Sequence, residues 1–122
     1  MAYQSFEKLE VWKRACRLAV NVCWTLAKSK QYVLKDQMQR AAISIPSNIA
    51  EGSERDSKQD FIRFLRIAKG SAAELRTQIY IALKLELLTK DESDNFVNET
   101  KEISAMLQGL IRLLLKQPKT EN

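Results

Sequence analysis

Histidine is absent from this 122-residue sequence, and cysteine, proline and glycine are scarce, at two, two and three residues. The missing histidine removes the usual general base and the commonest zinc and di-iron ligand. Cys16 and Cys23 are too few for a zinc site. Seven residues apart on a helix, they stand roughly 10 Å apart, beyond disulfide reach. They read as reduced thiols in a reducing compartment, so a cytoplasmic location is expected. So few glycines and prolines argue against a chain of many short strands. No long apolar run is present either. The stretch Leu110 to Leu115 is short and contains Arg112, and charged residues interrupt Met1 to Arg14. Neither a membrane span nor a signal peptide is expected.

What the sequence does contain is helical periodicity. Hydrophobic residues make up 45%, enough for a packed core. In the first segment Leu9, Trp12, Cys16, Ala19, Cys23 and Leu26 recur at three and four residues. Lys28 and Lys30 suit the negative end of that helix. Pro46 lies inside a second helical pattern that closes at Gly52, so a kinked helix is expected. Ser57 with Asp60, and Thr89 with Glu92, have the spacing of capping boxes, and each opens a further helix. Phe61, Leu65, Ala68, Ala72, Leu75, Ile79 and Ala82 mark the third stripe. Phe96, Ile103, Leu107, Leu110 and Leu114 mark the fourth. The reading is an all-α, antiparallel up-down-up-down four-helix bundle. Its helices span about 6–29, 35–52, 57–86 and 89–116. A single domain covers 1–122, with 1–5 as a leader and 117–122 as a frayed tail.

The apolar faces look wider than the three positions in seven that one core needs. Ile62, Phe64, Ile67, Ala73, Tyr80, Ile81 and Leu83 add to the third stripe. Val97, Ala105, Ile111 and Leu115 add to the fourth, and Val11, Val22 and Trp24 to the first. A second apolar face signals self-association.

The second helix carries a polar line, Gln37, Arg40, Ser44, Asn48 and Glu51, at three- and four-residue spacing. Opposite it the third helix offers Gly70, Ser71, Ala72 and Ala73, then Glu74. Gln37, Arg40, Ser44, Asn48, Glu51, Ser71 and Glu74 are expected to form a structural polar network that fixes register. The same groups do not specify a reaction. Ser44 has no basic partner pattern, and no phosphate loop or nucleophile elbow is present. Catalytic residues, metal and cofactor are therefore expected to be absent, and the chain is not expected to be an enzyme.

The formal charge is +5, from 20 basic and 15 acidic residues. Arg55, Lys58, Arg63, Arg66, Lys69 and Arg76 gather along one end and side of the third helix. Four of them, Arg63, Arg66, Lys69 and Arg76, occupy an arc of roughly 140° at 100° per residue. They are the candidate nucleic-acid-binding residues. No base-reading motif accompanies them, so the phosphate backbone is the expected target.

Three stretches taken together carry a resemblance: Phe6 to Trp12 (FEKLEVW), Gln37 to Gly52 (QMQRAAISIPSNIAEG) and Phe61 to Leu75 (FIRFLRIAKGSAAEL). Their combination resembles the four-helix-bundle family of ribosomal-RNA intervening-sequence proteins, over nearly the whole chain and in order. Members were first noted as reading frames within insertions of bacterial large-subunit ribosomal RNA genes. The resemblance implies a bundle that assembles with itself as a ring, a homopentamer. A more distant likeness is to the accessory variability determinant of diversity-generating retroelements, a pentamer that binds nucleic acid and a reverse transcriptase. Two functions are thus in view. One is an oligomer that binds RNA or DNA. The other is a scaffold for a protein partner that itself handles nucleic acid, such as a reverse transcriptase.

Overall fold

The computed structural model describes residues 5–118, and among them there are four long helices and no strand. They are α1 (Glu10–Thr25), α2 (Tyr32–Ser53), α3 (Lys58–Lys84) and α4 (Lys90–Lys116), preceded by one 3-10 turn over Phe6–Lys8. Each helix packs against its sequence neighbours and α1 closes the circle on α4. The α2–α3 seam is the most extensive and the α1–α4 seam the least. Among the described residues the backbones of diagonal helices do not approach each other closely, as an up-down bundle with short connections requires. The expected leader (1–5) and tail (117–122) fall largely outside the described residues.

The capping signals act where the sequence places them. Ser57 Oγ accepts from the Asp60 amide at 3.2 Å and starts α3. Thr89 and Glu92 complete a reciprocal box at 3.1 and 2.9 Å and start α4. Two boundaries of α1 differ from the expected 6–29. Leu9 is extended (φ −76°, ψ 123°), so Phe6–Lys8 forms a separate turn, whose Phe6 ring packs edge-on against Trp12 at 5.2 Å. At the other end α1 stops at Thr25. The cation at that negative helix end is Lys35, whose Nζ donates to the Ala27 carbonyl at 2.8 Å, rather than Lys28 or Lys30. That bond belongs to the first turn of α2, which begins at Tyr32 and not at 35. At the end of α3, Glu86 takes a left-handed conformation (φ 61°) while Leu87 N donates to Ala82 O at 2.9 Å. This Schellman-type closure ends the helix at Lys84, two residues before the expected 86. Helix α2 runs unbroken through Pro46, which is itself buried.

One hydrophobic cluster draws on all four helices. Leu18, Val22, Met38, Ile45, Ile49, Leu65, Leu75, Ile79, Ile103 and Leu107 are its fully buried centre. The cluster also absorbs residues assigned above to a second face. Val11, Val22, Ile62, Val97 and Ile111 belong to it, and Phe64 is buried as well. The reason is geometric. A helix of a closed four-membered circle packs on two neighbours and the interior, so it buries a wider arc than a coiled-coil seam. Trp24, Ile67, Tyr80, Ile81 and Leu115 do remain exposed, joined by Val20, Tyr32, Val33, Ile43, Leu85 and Leu113.

Gly52 explains how α2 and α3 approach so closely. A Cβ there would lie 2.5 Å from Phe64 Cβ and 3.2 Å from Phe61 Cδ1. Only glycine fits without moving one helix.

Candidate functional site

The polar line on α2 meets α3 at one point. Ser44 Oγ and Ser71 Oγ lie 2.8 Å apart, and Asn48 Nδ2 donates to Ser44 Oγ at 2.9 Å and to the Ser44 carbonyl at 2.8 Å. These three half-buried groups form a network. The other four expected members do not join it. Glu51 pairs with Arg55 of the α2–α3 connection at 3.0 Å, and Arg40 pairs with Asp36, one turn away along α2, at 3.0 Å. Gln37 and Glu74 are exposed and, with Arg40, Ala41 and Ser44, rim a shallow cleft. Carboxylates at the rim stay hydrated, and drawing them inward would cost more than their hydrogen bonds return. The network is thus an uncharged clasp between α2 and α3. Nothing in it can act as a base toward Ser44, because Ser71 and Asn48 are its partners.

The six cations assigned to one surface divide into three situations. Lys58 is buried, at 6% exposure, and its Nζ donates to the Gln117 carbonyl at 2.6 Å. It ties the start of α3 to the end of α4 and presents no charge to solvent. Arg55 and Arg63 stand over the Phe64 ring, with guanidinium carbons 4.8 and 4.6 Å from its centroid. Each also faces a carboxylate, Glu51 at 3.0 Å and Asp60 at 3.5 Å. Their charge is largely compensated.

Arg66, Lys69 and Arg76 are different. With Ala73 and Tyr80 they recur at three and four residues, so they form one stripe along α3. Lys69 fixes where that stripe faces, because its Nζ donates to Gln108 Oε1 of α4 at 2.6 Å. Gln108 belongs to an α4 stripe of the same rhythm, Lys101, Ala105, Gln108 and Arg112. The two stripes therefore border one groove. Antiparallel pairing at Lys69 and Gln108 sets Arg66 at the level of Arg112 and Arg76 at the level of Lys101. Between the levels of Arg66/Arg112 and Arg76/Lys101 neither stripe contains a carboxylate, and none of these four cations has an ion-pair partner among the described residues. Further along α4 the groove ends at Asp94, which Lys90 neutralises at 2.5 Å. The α3 stripe continues to the exposed Lys84. Lys84 extends the α3 stripe one turn beyond Tyr80, and Lys101 and Arg112 lie on α4, outside the basic face read from α3 alone. The same spacing on α4, free of acids, is the signal that finds them.

The other side of α4 is arranged oppositely. Arg14 of α1 reaches Glu99 through two bonds of 3.0 and 2.8 Å, Glu102 at 3.1 Å and the Met106 sulfur at 3.6 Å. The Glu99 hydrogen bonds, with Glu102 behind them, raise the guanidinium above its ordinary pKa. Cys16 and Cys23 are free thiols, and burial pushes the Cys16 thiol up. Among the described residues no group of three metal-ligating side chains converges. No helix among them is long and apolar enough to cross a membrane.

Among curated proteins none matches the chain. One solved structure that does is a protein of unknown function from the S23 ribosomal protein family of Bacteroides thetaiotaomicron VPI-5482. It is 26% identical, with a TM-score of 0.78 over 84% of this chain and 98% of that one. The likeness extends over most of the chain. The model of the 23S rRNA-intervening sequence protein family matches residues 7–109, which take in all three motif stretches except Phe6 and every helix but the end of α4. The chain therefore belongs to the family of 23S rRNA-intervening sequence proteins.

Proposed function

We propose that this protein is a non-enzymatic, homo-oligomeric bundle, a pentamer, that binds RNA or DNA through the phosphate backbone. The observation that carries the reading is the pair of facing stripes on α3 and α4, whose cations have no carboxylate partner among the described residues. Ordinary surface cations interleave with acids, as Arg40, Arg55, Arg63 and Lys90 do in this chain. A groove kept clear of acids attracts phosphates and repels other cations. Repetition around a ring would multiply a modest charge into strong binding. The exposed apolar residues, Val20, Ile43, Ile67, Ile81 and Leu113 among them, support assembly. The absence of chemistry is supported by Ser44, the hydroxyl of the polar line, being held by a second hydroxyl and an amide.

The test is binding to a structured RNA and to duplex DNA at two salt concentrations. Affinity should fall steeply with salt, and Arg66→Glu with Arg76→Glu should abolish it. No binding even at low salt removes the reading. Light scattering showing a 14.0 kDa monomer at micromolar concentration removes the ring. A second reading, a scaffold for a nucleic-acid-processing protein, draws on another surface. Trp24, Tyr32 and Val33, at 79%, 68% and 72% exposure, flank the α1–α2 turn. Large exposed aromatics are the usual anchors of a protein interface.

A further inference from the structure

Tyr80 stands within the α3 cationic stripe, four residues after Arg76 and four before Lys84. The residue is 49% exposed, and its hydroxyl makes no hydrogen bond among the described residues. The phenylalanines of α3 and α4 behave otherwise. Phe61, Phe64 and Phe96 are all buried. A half-exposed aromatic ring amid cations contributes less to folding than a buried one, since about half of its surface stays in water. What it offers is a flat face beside positive charge.

That combination discriminates among nucleic acids. A duplex presents phosphates and sugars to a groove between helices, while its bases stay stacked on each other. A single strand presents phosphates and also unstacked bases, and aromatic side chains beside a basic track are what such strands use. Arg76 and Lys84 are eight residues apart, about 12 Å along the helix axis. Phosphates on either side of a base lying on Tyr80 fall within reach of these two long side chains. Farther along the groove Ala73 and Ala105, both small and exposed, leave room for the strand between the cation pairs Arg76/Lys101 and Arg66/Arg112.

We infer that the α3–α4 groove takes single-stranded nucleic acid, with its phosphates along the cations of both helices and one base stacked on Tyr80. This rests on the phosphate-binding reading above and adds the strand state and the stacking residue. The measurement is fluorescence anisotropy of the full chain with a 15-nucleotide oligothymidylate, a 15-nucleotide oligouridylate and a 15-base-pair DNA duplex, at one fixed low salt. Tyr80→Ala should weaken binding of both single strands about tenfold, the order expected for one stacked base. Tyr80→Phe keeps the ring and should bind as the parent does. Duplex binding should be weaker than single-strand binding and indifferent to either change. Equal affinity of Tyr80→Ala and parent for the single strands overturns the inference, as does equal loss on single strand and duplex. In those cases the phosphate reading still stands if Arg66→Glu with Arg76→Glu abolishes binding. If none of the three probes binds the parent, both fail. A thermal melt of each variant guards the comparison, and a half-exposed ring leaves little reason for Tyr80→Ala to unfold.

Discussion

Arg14 and Lys69 each reach α4 across a helix seam, and α4 receives them differently. Toward α1 it presents Glu99, Glu102 and Met106, which surround the Arg14 guanidinium. Toward α3 it presents Lys101, Gln108 and Arg112, and Lys69 finds only the neutral Gln108. One helix thus sorts its charges by side. The first seam is electrostatically closed, since its cation already has two anions. The second is open, since five guanidinium and ammonium groups, Lys69 among them, line it without an anion. Compensation of the first kind holds a fold together. A row of like charges across a groove costs stability, slightly and in a salt-dependent way. On the function proposed above, an anionic strand in the groove offsets that cost.

Crossing the two seams is the most direct way to break this comparison. Arg66→Glu with Arg76→Glu should abolish measurable binding of a 15-nucleotide single strand, a loss on the order of a hundredfold or more, and remove its salt dependence. It should not lower the melting temperature, because no partner is lost. Arg14→Ala should do the reverse, leaving affinity and salt slope unchanged. Anisotropy titrations and thermal melts of the same samples read both halves. Loss of binding in Arg14→Ala would show that the sorting of charge on α4 has no functional meaning.

A third seam sharpens the contrast by having no room at all. Gly52→Ala sets a methyl group 2.5 Å from Phe64 Cβ. Better helix propensity offers at most about 1 kcal/mol. Overpacking between two long helices costs about 1–3 kcal/mol, and the Cβ clash here lies at its upper end. A net loss of about 2 kcal/mol is expected by urea denaturation. An unchanged midpoint would mean that α2 and α3 separate freely, and that the serine clasp at Ser44 and Ser71 does not set their distance. Smaller again is the stability cost of Arg14→Ala. The pair is partly buried, with side-chain exposures of 23% and 28% for Arg14 and Glu99. About 1 kcal/mol is expected for a bidentate bond of that kind. A double-mutant cycle with Glu99→Gln isolates it. A coupling near zero would make the α1–α4 seam as open as the α3–α4 one.

How far these seams were legible in the sequence follows from the range of the forces that make them. Ser57 and Thr89 are plain in the sequence, since a cap is a contract between residues three apart. Helix number and order follow from periodicity in the same way. The ends of α1 are not legible. Leu9 is extended in a chain whose apolar pattern continues through it, and Ala27 is capped by Lys35, a residue of the next helix. Lys58 reads as a surface cation from composition alone, because its burial depends on the Gln117 carbonyl, 59 residues away. Glu51 and Glu74 share the spacing of the serine clasp but sit at its rim, and spacing alone does not separate the centre of a helix seam from its edge. The basic groove lies between these cases. Both of its stripes are visible in the sequence. Their meeting rests on the register of α3 against α4, which Lys69 and Gln108 establish.

The smallest expected effect tests the surface between the two sides of α4. Gly109 is exposed, and a Cβ added there would meet nothing within 4 Å. It follows Gln108 of the α3 side and is three residues past Met106 of the α1 side, so it faces outward between the seams. Gly109→Ala removes backbone freedom from the unfolded chain and adds no clash, so a gain of about 0.5–1 kcal/mol is expected. Single-strand affinity should not change, because the groove begins one residue earlier, at Gln108. A stabilised variant with weakened binding would show that nucleic acid spreads over the outward face of α4. In that event the groove would be the edge of a broader surface, and the contrast between the two seams would describe only part of how the bundle carries its charge.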